Sequence, residues 1–582
     1  MTRSRTVAWA LVLSVWALLA APATAQELTS GTIAGKVSDP AGKPIAGALI
    51  IATSQSGTRT AESDASGDFI LPFLRPGEYT IRVEASGGFT TIIQNNVIVS
   101  LNQRTNLNFT LEPGKTETVT VTAATPLVDI HSTATGTNVK YDEFANAVPL
   151  GRSFTDTYAV AAGVVSGGGT GQGNYSISGA SGLENSYLID GVNITNTGFG
   201  GIGAYNIVYG SLGTGVTSEF LDEVQIKTGG FEAEYGQALG GIINTIVKSG
   251  TNDFKGSVAW FSSPDTFYGA HNLVKLDSGA GNTDGRTVND FAFQVRGPII
   301  KDKLFYFVAY NPVTTTTNRT AQFLSNPAFP AAQSGVLDSP GGTAIPVFDE
   351  TNANGFGVTS PLAFPSAGRD LSWRRQANNY AVKFNWQASP KNLVEFTLFG
   401  DPATGDRGPQ RDAPGNDATL FSDFATGGGE STIRYGSNNG TLKWSSVFGP
   451  KFFMEAQVSE HAGKFRETSA NNQNNYIDLR DNLEFRRGAT QYIDANTGLA
   501  VPFTPSPVIT ERGGVGFITS QDDQSLQYLV KFTNVLGRHE VKYGLELDDV
   551  KYRENASFSG SSFNIMLPVS DNNGNPVDAN SD

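Results

Sequence analysis

Residues that could carry out catalysis or bind a metal are few in this chain of 582 residues, and they are scattered along it. The four histidines are His131, His271, His461 and His539, and none has a glutamate three positions later, as a His-x-x-Glu zinc peptidase would need. Cysteine is absent, so disulfides, thiolate metal sites and a cysteine nucleophile are excluded. We therefore predict that the protein is not an enzyme and has no metal and no cofactor.

One glycine-rich stretch, residues 198–203, matches the G-x-G-x-x-G pattern of dinucleotide sites, and Glu219 lies roughly 20 residues beyond it, as in such sites. A dinucleotide site also needs a helix whose N-terminus binds the pyrophosphate. Gly210, Gly213 and Gly215 interrupt the segment where that helix would lie. We interpret the stretch as a loop able to line a channel or a ligand pocket.

The composition favours a β-rich surface in contact with lipid. Only 16% of the residues are charged, and the chain has 66 glycines, 36 phenylalanines and 18 tyrosines. Low charge with many aromatic residues is what a lipid-facing β-surface requires. The formal net charge of -14 argues against a nucleic-acid partner, since phosphates attract basic surfaces.

The N-terminus has the organisation of a secretory signal peptide. Arg3 and Arg5 precede the apolar run 7–19, and the small residues 23–25 supply a cleavage site, so we expect residues 1–25 to be removed. An N-terminal membrane anchor is the alternative, which the short apolar run disfavours. No later run of 18 or more apolar residues occurs, so a membrane location would require a β-barrel.

Residues 26–112 predict a small β-sandwich. Short β-branched runs alternate with turn signals at residues 39–44 and 74–79, and about seven strands fit. These turns and the residues around them resemble the carboxypeptidase regulatory-like domain, which has a prealbumin-like fold. Because no zinc ligands can be found, we interpret this domain as a binding or spacing module. The residues that carry the resemblance are Gly35, Val37, Asp39, Gly42, Pro44, Ile45, Gly47, Ala48, Leu74, Pro76, Gly77 and Tyr79.

Residues 127–250 predict an α+β globule. Strands are expected at 186–192 and 222–226, a short helix at 142–147, and a buried β-branched strand at 242–247. The motifs of this segment, in their order, resemble the plug domain of TonB-dependent outer-membrane receptors of the Oar-like group. The motif residues are Asp190, Gly191, Glu234, Tyr235, Gly236, Gly240, Gly241 and Asn244.

A linker, residues 113–126, separates the sandwich from the plug and contains a strip of alternating threonine and valine. The strip, residues 118–123, has high β-propensity and no obvious partner strand, so another protein's sheet edge could capture it. It resembles the TonB box that such receptors offer to a periplasmic energy-coupling protein. The alternative is that it is simply the last strand of the sandwich. Its residues are Thr118, Val119, Thr120, Val121, Thr122 and Ala123.

Residues 251–582 predict an antiparallel transmembrane β-barrel. Apolar and polar residues alternate with period two at 380–386, 452–459, 526–532 and 541–547, so apolar side chains would face lipid and charged ones the lumen. Short turns alternate with long polar stretches, such as 311–376 and 469–524, which are expected to be outer loops. Residues 297–307 resemble the early hairpin of the receptor family's barrel, which implies that two strands meet around Lys301 and Asp302.

The number of strands indicates an incomplete barrel. We find roughly eight to twelve strand candidates, whereas barrels of the receptor family it resembles have about 22. We therefore expect this sequence to be the N-terminal part of a longer protein.

The resemblance implies an exported receptor of the bacterial outer membrane, in contact with lipid, that imports a ligand with energy from the periplasmic coupling protein. The ligand would be a siderophore, an oligosaccharide or a peptide, and the sequence does not choose among them. The alternative is an outer-membrane or cell-surface adhesion protein without transport.

Overall fold

A computed structural model shows a protein built almost entirely of β-strands. The predicted signal peptide lies outside the residues that the structure describes. None of the described helices has the length and apolar character needed to cross a bilayer. The structure describes residues 29–114, 118–121, 134–147, 154–165, 174–206, 210–213, 215–232, 235–236, 238–267, 285–320, 370–406, 431–469, 491–493, 500–502, 517–536 and 539–558.

The N-terminal domain is a two-sheet sandwich, as predicted. Its strands in the described residues are β1 (Gly31–Ser38), β2 (Leu49–Ser54), β3 (Gly57–Glu62), β4 (Asp68–Leu74), β5 (Gly77–Glu84), β6 (Thr91–Val99), β7 (Arg104–Thr110) and β8 (Thr118–Val121). One sheet has the order β4-β1-β7 and the other β3-β2-β5-β6-β8. Because strand residues alternate between faces, Ile33, Ile50 and Ile81 point inward and are fully buried in a common apolar core.

The prediction that the strip has no partner strand is wrong. Thr118 pairs with Thr91 and Val121 with Gln94, so β8 lies parallel to β6 at the edge of the described five-stranded sheet. The strip therefore begins as the last strand of the sandwich, which was the alternative interpretation. Thr122 and Ala123 lie outside the described residues.

The plug, residues 134–247, is a small α+β globule. Its regular elements are β9 (Thr135–Lys140), α1 (Tyr141–Ala147), β10 (Val164–Val165), β11 (Ser176–Ile177), β12 (Ser186–Ile189), β13 (Val192–Asn193), β14 (Ala204–Asn206), β15 (Gly210–Leu212), β16 (Leu221–Gly229) and β17 (Ile242–Val247), with 3-10 turns at Phe154–Val160, Gly182–Glu184 and Ser218–Phe220. The main sheet has the order β13-β12-β17-β16-β9. All six residues of β17 are buried, which confirms the predicted buried strand.

The predicted single strand at residues 186–192 is wrong, because the chain reverses within it. β12 and β13 form a hairpin in which Ile189 pairs with Val192, leaving Asp190 and Gly191 as the two loop residues. Their φ values of 47° and 81° are both positive, as a type I′ turn requires, and Asp-Gly is one of the sequences that favours this turn. The predicted helix at 142–147 is confirmed as α1.

The wall is an antiparallel sheet of ten strands in the described residues. They are β18 (Lys255–Ser263), β19 (Gly285–Ile300), β20 (Leu304–Thr320), β21 (Asp370–Ser389), β22 (Asn392–Gly400), β23 (Ala403–Asp406), β24 (Ser431–Gly449), β25 (Phe452–Ser469), β28 (Phe517–Leu536) and β29 (His539–Phe558). A 3-10 turn at Asp265–Phe267 follows β18, and a separate hairpin is formed by β26 (Gln491–Ile493) and β27 (Ala500–Pro502). The strand order in the sheet is β18-β19-β20-β21-β22-β24-β25-β28-β29. The short strand β23 lies beyond the end of β22 and pairs with β21 and β24.

Wall strands are longer than the sequence pattern predicts. β20 extends to Thr320, β21 begins at Asp370 and β28 begins at Phe517, so the expected outer loops 311–376 and 469–524 are wrong at these ends. The polar residues at these strand ends pair along the full ladder, for example Thr317 with Trp373. Backbone pairing does not depend on apolar side chains, which is why the polar ends were missed.

The two faces of the wall have inverted polarity compared with a water-soluble sheet. In β24, Leu442 and Trp444 are 51% and 43% exposed, whereas Lys443 between them is 4% exposed. In β21, Lys383 and Asn385 are buried and Trp386 is exposed. Apolar residues thus face outward and polar residues face the plug, which confirms the predicted alternation.

Tight hairpins join β19 to β20, β21 to β22, and β24 to β25, and all lie at one end of the wall because consecutive strands are antiparallel. β28 and β29 also approach each other at this end, where Leu536 pairs with His539. We call this end the rim. The turn between β19 and β20 contains Asp302 with φ 61°, which confirms the predicted hairpin at Lys301 and Asp302.

Candidate functional site where the plug meets the wall

The Asp-Gly turn of the plug places a carboxylate against the wall. Asp190 accepts hydrogen bonds through Oδ1 from the backbone N–H of Val247, at 3.0 Å, and from Lys383 Nζ, also at 3.0 Å. Its Oδ2 accepts a hydrogen bond from Thr397 Oγ1 at 2.9 Å. The carboxylate therefore joins β17 of the plug to β21 and β22 of the wall.

Lys383 is the wall's main partner for this carboxylate. The ammonium lies 3.0 Å from Asp190 Oδ2, with side-chain exposures of 7% for the lysine and 3% for the aspartate. The same ammonium donates to the carbonyl of Val247 at 3.1 Å. A buried charge is tolerated when it is paired and its remaining hydrogen bonds are made, and this geometry satisfies both conditions.

The hairpin also contacts wall strands further along the same sheet. Gln457 of β25 donates through Nε2 to the carbonyl of Gly191 at 2.8 Å. The N–H of Asn193 donates to Gln527 Oε1 of β28 at 3.3 Å. Polar contacts thus hold the plug to four strands of the wall, β21, β22, β25 and β28.

A further contact lies next to the glycine-rich loop. Thr197 Oγ1 donates to Asp523 Oδ1 of β28 at 2.5 Å, and Phe199 packs edge-to-face on Tyr552 at 5.9 Å between ring centroids. Gly200, Gly201 and Gly203 have φ values of 73°, 74° and 76°, and the strand β14 follows. No helix begins in the described residues 204–206, so the loop has none of the geometry of a dinucleotide site.

His461 lies on β25 and is buried on the inward face of the wall. Its Nδ1 lies 2.6 Å from Asn439 Oδ1, and its Nε2 lies 3.5 Å from Asp523 Oδ2. Glu455, Gln457 and Ser459 precede it on the same inward face of β25, so continuing that period of two would have predicted its position. No group of three or more possible metal ligands occurs among the described residues.

An ion triplet lies on the inward face of the wall. Glu455 Oε1 is 2.6 Å from Lys443 Nζ, and its Oε2 is 2.8 Å from Lys531 Nζ. All three side chains are buried. Lys443 also donates to Thr29 Oγ1, at 2.6 Å, so the start of the sandwich reaches this cluster.

Four of the remaining predicted plug residues, Gly236, Gly240, Gly241 and Asn244, lie in the described part of the plug. Gly240 N donates to the carbonyl of Glu184, and Gly241 N donates to Asn185 Oδ1 at 2.8 Å. A Cβ on Gly241 would lie 2.5 Å from Ile177 Cδ1 and 2.9 Å from the carbonyl oxygen of Lys227, so alanine would force both to shift. Asn244 is fully buried within β17, whereas Gly236 has no atom within 4 Å of the position of a Cβ. Glu234 lies outside the described residues.

Tyr235 belongs to a second interface, between the plug and the sandwich. Its hydroxyl accepts a hydrogen bond from Asn102 Nδ2 at 2.8 Å, and its ring lies 4.4 Å from Lys227 Nζ. The ammonium of Lys227 also pairs with Glu232 at 2.5 Å. Sequence reasoning marked Tyr235 as a plug motif residue but did not predict its contact with the sandwich.

The described wall strands form an open sheet with an apolar outer face, and its inner face holds a globule through buried polar contacts. This is the arrangement of a membrane β-barrel protein with an internal plug. Residues 246–581 match the Outer membrane beta barrel domain, and the chain belongs to this family. Its location is therefore the outer membrane, as predicted. Residues 32–112 match the Carboxypeptidase regulatory-like domain, in agreement with the predicted sandwich.

The chain is 27% identical to the TonB-dependent transporter Oar of Myxococcus xanthus over 574 residues, which cover 92% of this chain and 51% of that protein. It thus spans about half the length of this relative. Among solved structures, the outer membrane transporter YddB from Escherichia coli aligns with 73% of this chain and 54% of that chain, at 13% identity and a TM-score of 0.46. The FrpB iron transporter from Neisseria meningitidis aligns with 72% of this chain and 59% of that chain, at 8% identity and a TM-score of 0.40.

Proposed function

We propose that the protein is a TonB-dependent outer-membrane receptor and transporter whose plug moves to admit a ligand. The observation that carries this proposal is the polar character of the contacts between plug and wall, at Asp190, Gly191, Asn193 and Thr197. The relative's description as a TonB-dependent transporter supports it. No covalent bond is made or broken in this function.

Polar contacts suit a plug that must move and return. Each hydrogen bond adds only about 1 kcal/mol net, because water replaces the lost partner when the contact opens. Apolar packing also contributes, since Phe307 and Phe399 of the wall lie in the same core cluster as the plug. The plug is therefore stable at rest, but much of its contact with the wall can be exchanged for water when it is pulled.

We assign the strip, residues 118–123, as the segment that engages a periplasmic energy-coupling protein. Its strand β8 has one edge paired with β6 and lies at the end of the described sheet order, so the other edge is positioned for main-chain hydrogen bonds to a further strand. Pulling on this segment would load both the sandwich and the plug. The ligand would be a siderophore, an oligosaccharide or a peptide.

The proposal is tested by cysteine labelling in intact cells, read on the protein after it has been purified from them. These 582 residues contain no cysteine, so within them label can attach only to the introduced thiol. Thr397 is 1% exposed and faces Asp190. In Thr397→Cys the thiol takes the place of the hydroxyl as a weaker hydrogen-bond donor to this carboxylate. We expect a small maleimide to label Thr397→Cys in energised cells supplied with spent medium from the native culture. A protonophore, or deletion of residues 118–123, should slow this labelling about tenfold or more.

A Val83→Cys variant is the matched control, because Val83 is fully buried in the core of the sandwich and reports unfolding. It should stay unlabelled in every condition. The contradicting result is equal labelling of Thr397→Cys with and without the protonophore, in a protein that is still inserted in the outer membrane. Gating would then not depend on energy. Adhesion without transport would then be the better interpretation.

A further inference from the structure

The sandwich is docked on the rim of the wall by three ion pairs. Asp64 pairs with Lys451 in the turn between β24 and β25, at 2.6 Å. Arg104 pairs with Glu540 near the start of β29, at 3.1 Å. Both pairs join a residue of the sandwich to the end of the wall where the tight hairpins lie.

The third ion pair is the most buried of the three. Arg75 lies 3.8 Å from Glu395 of β22, with side-chain exposures of 11% and 12%, and its guanidinium stacks 5.5 Å from the ring centroid of Phe305. Burial lowers the pKa of Arg75, an effect that the charge of Glu395 opposes. Arginine keeps its charge even so, because its ordinary pKa is above 12.

Two hydrogen bonds to backbone carbonyls of the sandwich add to the ion pairs. Gln55 accepts a hydrogen bond at its carbonyl from the N–H of Asn252 at 2.7 Å, and Gln387 Nε2 donates to the carbonyl of Thr58 at 3.3 Å. The sandwich therefore contacts the wall near all four of the strand pairs that meet at the rim. The docked sandwich therefore lies over the end of the wall through which a ligand would leave when the plug moves.

The sandwich also binds the plug directly, through its docking loop, residues 100–103, between β6 and β7. The N–H of Leu101 donates to Glu223 Oε1 at 3.1 Å. The carbonyl of Leu101 accepts from Asn138 Nδ2 at 2.8 Å and from Gln225 Nε2 at 3.1 Å. Leu101 is fully buried, so water is excluded from these contacts while the sandwich is docked.

The docking loop is connected to the strip through one strand. β8 pairs in parallel with β6, and β6 ends at Val99, two residues before Leu101. Displacement of β8 together with β6 would therefore act on the docking loop. Since β16 carries Glu223 and Gln225 and pairs with β17, the same path reaches the strand next to Asp190.

We propose that the sandwich is a second gate, docked on the rim and on the plug, and that it must leave this position before the plug can move. This inference rests on the proposed function, because it needs a pull on the strip. It assigns to the carboxypeptidase regulatory-like domain an autoinhibitory contact within the same chain.

The proposal is tested by comparing two cysteine probes in intact, energised cells. Leu101→Cys reports undocking of the sandwich, and it keeps the contacts described above because Leu101 makes them with backbone atoms. Thr397→Cys reports movement of the plug. We expect maleimide to label Leu101→Cys at least as fast as Thr397→Cys, and a protonophore to slow both about tenfold or more.

The outcomes separate the gate from the transporter. Labelling of Thr397→Cys while Leu101→Cys stays protected would overturn the second gate and leave the transporter intact. Protection of both probes under all conditions would overturn the proposed function and the gate with it. Labelling of both, with the core probe Val83→Cys unlabelled, supports the gate.

A charge exchange on the rim provides an independent test. Asp64→Lys places two lysines opposite each other and should raise the resting labelling of Leu101→Cys about tenfold. Adding Lys451→Asp restores an ion pair of reversed direction and should return labelling to the resting rate. Equal labelling of the single and double variants would contradict the docking role of this pair.

Discussion

Asp190 of the plug and Lys383 of the wall form a buried ion pair, with Oδ2 and Nζ 3.0 Å apart. The pair joins two segments that are 193 residues apart in the chain. Asp190 has a positive φ of 47°, so the ion pair requires both the carboxylate and the tight turn that places it. This contact holds the plug at rest against strands that face lipid on their other side.

Removing only the lysine should loosen the plug. Lys383→Met leaves Asp190 charged and buried without its cation, which costs about 3 to 5 kcal/mol in comparable buried pairs. We expect the cells to become sensitive to a large glycopeptide antibiotic that the intact outer membrane excludes. The measurement is the inhibitory concentration of that antibiotic at equal amounts of receptor in the membrane.

The double variant Asp190→Asn with Lys383→Met is the matched control. Asparagine tolerates a positive φ and remains able to hydrogen-bond to Val247 and Thr397, while no isolated charge remains. It should be less sensitive than Lys383→Met alone. Greater sensitivity in the double variant would show that the charge of Asp190 is not the cause.

Two plug glycines should differ sharply in their tolerance of alanine. Gly191 has a φ of 81°, and a Cβ there would lie 2.7 Å from Gln457 Oε1. We expect Gly191→Ala to destabilise the plug by about 1 to 2 kcal/mol from backbone strain alone. Gly236→Ala meets no atom within 4 Å and should be nearly neutral. Limited proteolysis of the plug in membranes, at matched protease concentrations, measures the difference.

The contact between sandwich and plug should strengthen as the pH falls. Burial raises the pKa of Glu223 to about 7 from its ordinary 4.5, and hydrogen bonds from Asn138 and Leu101 counteract this only in part. Between these values the docked state holds a proton that a solvated Glu223 has released. The stability of the docked state is therefore greatest below about pH 4.5, falls as the pH rises, and levels off above about 7, with a total change on the order of 3 kcal/mol.

Hydrogen exchange of the docking loop, measured at pH 5.5 and at pH 7.5, checks this prediction. Glu223→Gln keeps an acceptor oxygen but does not titrate, and comparison at equal pH cancels the intrinsic exchange rate. Protection in the wild type should fall relative to Glu223→Gln as the pH is raised. A ratio that does not change with pH would contradict the role of this carboxyl group.

A charged residue on the outer face of the wall should destabilise the protein more when it lies deeper in the bilayer. Leu442 lies about midway along β24 and is 51% exposed, so Leu442→Arg should cost about 2 to 4 kcal/mol in the bilayer. Gln524→Arg, on an exposed position of β28 far from the rim, should cost about 1 kcal/mol or less. Folding into liposomes followed by urea titration measures both. Equal losses would contradict the assignment of Leu442 to the lipid-facing band.

The wall could be predicted from sequence because its signal is local. Alternation at residues 380–386 and 452–459 sets the side of each residue by strand geometry alone, and the short turns mark where strands end. The strands of the sandwich and the buried strand β17 were predicted from another local signal, short β-branched runs bounded by turns. The outer ends of the strands were missed, since polar residues such as Thr317 pair there without an apolar pattern.

The site could be predicted only in part, because it depends on pairs of distant residues. Asp190 was marked by its motif, but nothing near it in the sequence indicates Lys383 or Thr397. Likewise, the docking loop is unremarkable in composition, and its contact with Glu223 appears only when the sandwich and the plug are brought together. The partner strand of β8 was missed because parallel pairing leaves no turn signal between the partners.

The alignment of β8 with β6 determines how this region responds to mechanical load. In the described residues their ladder joins four residue pairs, from Thr91 with Thr118 to Gln94 with Val121. A force along the strand axis would load all of its hydrogen bonds together in shear. A force across the sheet would break them one after another. The direction from which a motor attaches would therefore decide whether the strip peels away alone or carries the whole sandwich with it.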